Sequence, residues 1–136
     1  MRFMMLMIPR GYESAEPGAM PSAEAVAAMM KYNEELQKAG VLLALDGLHP
    51  TTSAVRVRLD SGKKKVVDGP FTEAKEIVGG YWILQTRTRE EAIEWARRVP
   101  LDPGSFVELR QIFEMTDFPE DIQRLNKPLA EKLAKQ

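Results

Sequence analysis

Three stretches of this chain are apolar without a break: Phe3-Met4-Met5-Leu6-Met7-Ile8, Val41-Leu42-Leu43-Ala44-Leu45 and Tyr81-Trp82-Ile83-Leu84. Successive side chains of a strand point to opposite sides, so a strand with one wet face alternates apolar with polar residues. An unbroken apolar run at strand length therefore predicts a strand covered on both faces. The runs stop at Pro9, at Asp46-Gly47 and at Gln85-Thr86, which keeps each at strand length. Whatever the chain folds into must supply two covers for one sheet.

One cover is legible as helices. Ser22 can cap a helix with Val26, Met29, Met30 and Leu36 spaced by three to four, Ala23, Ala27 and Ala39 on the same side, and Gly40 as its left-handed stop. Met29 and Met30 read there as core filler rather than as a soft-metal or flexible-ligand surface. Thr88 and Glu91 have the spacing of a capping box, and Ala92, Ile93, Trp95, Ala96 and Val99 form a second apolar face that ends before Pro100. Between the helices, Val55, Val57 and Leu59 alternate with Arg56 and Arg58. Asp60-Ser61-Gly62-Lys63 then turns the chain into Lys65-Val66-Val67, which predicts a half-exposed hairpin. Phe106 to Phe113 reads as a last strand, with Glu108 and Arg110 on one face and Val107 and Leu109 on the other. Pro9 to Pro21 is rich in turn formers and reads as a loop or lid.

Strand, helix, strand, hairpin, strand, helix, strand is the order of an α+β, ferredoxin-like split βαβ layout with an added β-hairpin and both helices on one sheet face. The second face then needs its own cover. A second copy of the same sheet supplies it most economically, which predicts a homodimer joined through sheet faces, a dimeric α/β barrel. The rival cover is the tail, residues 116–136, whose Ile122, Leu125, Leu129 and Leu133 lie at helical spacing interrupted by Pro128. Residues 1–115 are read as the domain proper and 116–136 as a helical tail.

Composition narrows the function. Nineteen Lys and Arg against twenty Asp and Glu leave a formal net charge of -1, which does not suit a binder of nucleic-acid phosphates. Without cysteine there is no disulfide, Cys-ligated zinc, iron-sulfur cluster or thiolate nucleophile. Phe3 to Ile8 is too short for a signal-peptide core, Pro9-Arg10 stands in place of a cleavage site, and no apolar run reaches spanning length, so no membrane role and a cytoplasmic location are expected. One histidine and scattered acids make no recognisable metal set, no phosphate loop or nucleophile elbow is present, and no cofactor is expected.

The densest chemistry lies in Asp68-Gly69-Pro70-Phe71-Thr72-Glu73-Ala74-Lys75-Glu76, continuing to Gly79-Gly80-Tyr81. Turn construction alone explains its first four residues: Gly permits unusual angles, Pro fixes the next, Asp accepts backbone hydrogen bonds and Phe71 anchors the turn. A functional reading adds His49, the single imidazole, as proton carrier, with Asp68 orienting it or accepting a proton itself. Arg56, Arg58 and Arg110 are candidates to hold an anionic small molecule by bidentate hydrogen bonds, with Glu73 and Glu76 as further binding candidates. Set against this, arginine and glutamate at two-residue spacing also describe a solvated sheet face with cross-strand ion pairs.

These residues resemble the signature of DGPF-domain proteins, a branch of the YCII-related family. The likeness rests on Asp68 to Glu76 with Gly79-Gly80-Tyr81, on Tyr32-Asn33-Glu34-Glu35-Leu36, Ala39-Gly40-Val41-Leu42 and Gly47-Leu48-His49-Pro50 upstream, and on Glu91 to Ala96, Pro100 and Val107-Glu108-Leu109-Arg110 downstream. The resemblance implies a ferredoxin-like, dimeric α/β-barrel fold. It also implies a His-Asp pair, proposed for the wider group, which includes a lactone dehalogenase; Asp68 matches the signature aspartate. An alternative it implies is a non-catalytic ligand-binding or regulatory module associated with an extracytoplasmic-function sigma factor. Where DGPF proteins commonly continue Glu-Val-Arg-Pro, this chain has Glu108-Leu109-Arg110-Gln111.

Overall fold

The computed structural model describes residues 1–16, 18, 20–71 and 75–136. Its elements are β1 (Arg2–Ile8), α1 (Ala23–Lys38), β2 (Leu42–Gly47), β3 (Val55–Asp60), β4 (Lys63–Asp68), β5 (Gly80–Gln85), α2 (Arg89–Arg97), β6 (Phe106–Gln111) and α3 (Glu120–Ala134). Four strands form one sheet in the order β2-β5-β1-β6, every neighbouring pair antiparallel, and β3-β4 form a separate two-stranded hairpin. This is the ferredoxin-like arrangement with an inserted hairpin, an α+β fold.

Alternation along the strands sorts the sheet into two faces. Met5 pairs with Trp82 and Leu109, and Phe3 with Leu84, on the side packed by helices. From α1, Tyr32 and Leu36 are buried and Met29 packs against the same cluster; α2 contributes Ala92 and Trp95. Tyr32 ties three elements together. Its ring sits edge-on to Trp82 at 5.9 Å and to Trp95 at 6.4 Å, and its hydroxyl donates to the Trp95 carbonyl at 2.7 Å. Trp82 Nε1 donates to Asn33 Oδ1 at 2.8 Å, so the polar atoms of this aromatic core are satisfied.

The helix ends follow the sequence closely. Ser22 Oγ accepts from the Ala25 amide, and Gly40 takes a φ of 73° just past the α1 C-cap. Thr88 Oγ1 accepts from the Glu91 amide, while Glu91 Oε2 accepts from the Arg87 amide rather than closing the box on Thr88.

Burial differs from the sequence expectation in four places, each for a physical reason; in β2, expected to be covered on both faces, Leu43 and Leu45 are exposed because the strand lies at the sheet edge. In α1 the buried stripe is Met29, Tyr32 and Leu36; Met30 is 58% exposed and Val26 is exposed too, because one narrow face meets the sheet and the aromatic Tyr32 fills the place expected for aliphatic neighbours. The hairpin is not half-buried: every residue from Val55 to Asp68 is exposed, since it pairs only with itself and stands off the main sheet. In the tail, α3 runs unbroken through Pro128, which forgoes only one bond to the carbonyl of the exposed Arg124. Ile122, Leu125, Leu129 and Leu133 are exposed, so this stripe does not cover the sheet. The face opposite the helices, carrying Met4, Leu6, Ile8, Tyr81, Ile83 and Phe106, is left without an apolar layer from α3.

Candidate functional site

The registers Ile8 with Phe106, Met7 with Gly80 and Gly47 with Gly80 bring the exits of β1 and β2 and the entrances of β5 and β6 to one end of the sheet. The connecting loops are stitched together there. Tyr12 Oη donates to the Leu48 carbonyl, the Leu48 amide to the Gly79 carbonyl at 2.9 Å and the Gly79 amide to the Met7 carbonyl at 2.7 Å. The Arg10 amide donates to Ser105 Oγ at 2.8 Å. Gly79 is needed for this closeness, because a Cβ there would lie 2.6 Å from Pro9 Cγ.

Asp68 and His49 are delivered to the same margin by two turns that pack on each other. The Gly69 amide donates to the Ala54 carbonyl at 2.8 Å, and a Cβ on Gly69 would run into the Thr51 carbonyl oxygen. Gly69 follows Asp68 directly, and Thr51 lies two residues past His49, in a short 3-10 turn spanning Thr51–Ser53 behind the buried Pro50. The two candidate side chains are exposed and share no hydrogen bond or ion pair among the described residues. The contact between the turns is made by Gly69 with Thr51 and Ala54, not by the two side chains themselves.

The arginines divide. Arg56 lies over the Phe71 ring at 3.7 Å, a cation-π contact that anchors the hairpin base to the signature turn. Arg58 projects from the same hairpin face, opposite Lys65. Arg110 sits across from Met4 on the open face of the main sheet, with Glu108 across from Leu6. Glu76 is exposed in the bend before the buried Ile77, and Glu73 lies outside the described residues.

One pair was not singled out by sequence. Tyr81 Oη donates to Asp46 Oδ2 at 2.9 Å across β5 and β2, on the open face. The hydrogen bond, then the carboxylate charge, hold the Tyr81 phenol above its ordinary range. Desolvation raises Tyr12 as well. Only strand register reveals the pairing; in the sequence Asp46-Gly47 reads as the break after an apolar run. Shallow surface concavities lie elsewhere, along α3 between Met115, Gln123 and Lys127 and between Met115, Phe118 and Leu125. No group of three or more His, Asp or Glu positioned to hold a metal occurs among the described residues, and no described helix is long and apolar enough to cross a membrane.

A family model described as the YCII-related domain matches residues 1–116. An uncharacterized protein of Rhizobium meliloti (strain 1021) is 38% identical over 60 residues, covering 44% of this chain and 48% of that protein, so the match spans about half the length of the curated relative. Among solved structures, a 5-chloro-2-hydroxyhydroquinone dehydrochlorinase from Burkholderia phenoliruptrix AC1100, in complex with 2,5-dihydroxybenzoquinone, aligns over 84% of this chain and 96% of its own at 17% identity, with a TM-score of 0.41.

Proposed function

The chain belongs to the YCII-related family, and from that premise we propose that it is a small-molecule enzyme of the cytoplasm, working as a homodimer on an anionic or lactone-type substrate by acid-base chemistry. The observation that carries this reading is the mutual packing of the His49-Pro50-Thr51 and Asp68-Gly69-Pro70 turns through the Gly69 contacts. His49 takes a proton from the substrate, and Asp68 steadies the imidazolium that results. Free enzymes often hold catalytic hydrogen bonds open until substrate arrives, so the missing His49–Asp68 bond is compatible with the role. Arg56, Arg58 and Arg110, with Glu73 and Glu76, are the binding groups of this reading, and Tyr81, held by Asp46, is a fixed hydrogen-bond donor. The second sheet cover comes from the partner copy, since the α3 stripe does not supply it.

A panel of small carboxylates and lactones tests this by turnover. Asp68→Asn is expected to lower kcat/KM by roughly a hundredfold or more, the usual scale for losing one acid-base group; unchanged turnover in that variant overturns the assignment. The second reading is a non-catalytic ligand-binding or regulatory module, with an extracytoplasmic-function sigma factor as partner. It draws support from the exposure of both His49 and Asp68 and from the lack of a bond between them. Saturable ligand binding without turnover, together with recovery of a sigma factor in a pull-down, would favour it.

A further inference from the structure

The tail helix α3 carries an apolar stripe that its own chain leaves open. Ile122, Leu125, Leu129 and Leu133 line up along the helix at about 3.6 residues per turn, and Leu125, the most exposed of them, is 78% exposed. The two halves of the stripe differ in shape. Around the first half, Met115, Phe118, Ile122, Leu125 and Asn126 line a shallow hollow, whereas Leu129 and Leu133 project from the second. On one flank the polar side chains are already used within the chain: Gln123 Nε2 donates to the Phe118 carbonyl at 2.8 Å and Asn126 Nδ2 to Met115 Sδ at 3.0 Å. A hollow on one half and leucines on the other fit together when a second such helix lies against the first in the opposite direction.

The charges beside the stripe select that arrangement. Asp121 directly precedes the first residue of the stripe and Lys132 directly precedes its last, so at ~100° per residue both stand on the same flank, opposite the one used by Gln123 and Asn126. They are opposite in sign, and neither has an ion pair among the described residues. The remaining charges of the helix, Glu120, Arg124, Lys127 and Glu131, point away from the stripe, and Arg124 pairs with Glu120 there at 3.5 Å. When two copies of a helix pair antiparallel about a two-fold axis, each flank meets its own counterpart in reverse order. Ile122 then opposes the partner's Leu133, Leu125 opposes the partner's Leu129, and Asp121 meets the partner's Lys132 twice over, once at each end. A parallel pair would instead set Asp121 against the partner's Asp121 and Lys132 against the partner's Lys132, which like-charge repulsion disfavours. A foreign protein has no need of this reversal symmetry.

We propose that α3 is a self-association helix that packs antiparallel on α3 of a second copy, leucine stripe to leucine stripe, with Asp121 and Lys132 fixing the direction. The helix lies beyond residues 1–116, the part of the chain that the family model matches. The inference rests on the homodimer proposed above and adds a second contact to it, since a stripe of this length is small beside the ~1,200–2,000 Å² of a stable interface.

Sedimentation equilibrium of full-length charge variants tests the direction. In Asp121→Lys, and likewise in Lys132→Asp, like charges face each other at both ends of the pair, so each variant alone should dimerise roughly tenfold more weakly than the parent. Mixed together, the two variants restore an opposite-charge contact at both ends, and the mixed dimer should recover close to parental strength. Any cost of either substitution to its own helix is the same alone and in the mixture, so a mixture no stronger than its components overturns the antiparallel pair. Leu125→Lys/Leu129→Lys supplies the independent measurement. Both side chains are exposed within one chain, so folding should persist, while dimerisation weakens by roughly a hundredfold as charges are driven into an apolar contact. A dimer of parental strength in that variant means that the stripe meets another protein or nothing at all; it overturns the helix pair and leaves the sheet-face dimer standing. A monomeric parent chain overturns both.

Discussion

The chemistry of single residues is where the sequence was most and least informative. Asp68, Gly69 and Phe71 could be picked out because turn chemistry and titratable groups coincide, and each has a definite contact or position in the structure. Tyr81 with Asp46 could not, since residues 35 apart meet only through strand register. Two outcomes follow at this scale. Gly69→Ala should destabilise the fold by about 1–3 kcal/mol, the range for overpacking, because the new methyl group meets the Thr51 carbonyl; urea unfolding checks this, and an unshifted midpoint would contradict it. All three tyrosines should ionise above the ordinary value of 10.0: burial raises Tyr32 and Tyr12, and the Asp46 hydrogen bond raises Tyr81. Their folded values being raised, the stability they lend is complete below the ordinary phenol value and lost as pH climbs through the folded ones. Ultraviolet titration reads it, and Asp46→Asn should bring one tyrosine back towards ordinary behaviour.

At the scale of elements, strand and helix identity came through because periodicity and caps are local. The unbroken apolar runs became the two central strands, β1 and β5, and the edge strand β2, and Ser22, Gly40, Thr88 and Pro100 marked helix ends as expected. Which face each element buries was harder to read. Met30 and Met29 look alike in sequence, yet only Met29 meets the core, and the valines of β3-β4 alternate as though half-buried while every residue of the hairpin is exposed. Burial is a property of neighbours, and neighbours distant in sequence leave no local trace. Thr88→Ala should cost about 1 kcal/mol through loss of the Glu91 cap, measured by thermal or urea unfolding. The ends of β1 and β6 are clamped by Arg2 and Glu114 at 2.7 Å, which holds the Glu114 carboxyl below its ordinary range. The stability from that clamp is present above the ordinary carboxylate value and lost as pH falls through the lowered one, so Glu114→Gln should flatten the acid limb of the stability profile.

For the molecule as a whole, the demand for two covers on one sheet was the most consequential inference from the sequence. The structure supplies one cover, α1 and α2 over Met5, Trp82 and Leu84, and shows that the apolar stripe of α3 does not form the other. In the homodimer proposed above, Met4, Leu6 and Ile83 of the open face meet the second copy, and Ile83→Glu should then shift the protein towards monomer in sedimentation while the helix-side core stays intact. The functional claim turns on whether the margin where the His49 and Asp68 turns pack receives a ligand. Because His49 is the chain's single histidine, its imidazole proton resonances can be followed without interference during titration with small carboxylates and lactones. A saturable shift of those resonances, weakened at least about tenfold in Asp68→Asn, is the predicted result. Imidazole signals that stay put while other resonances report binding, or a titration that Asp68→Asn leaves unchanged, would contradict it.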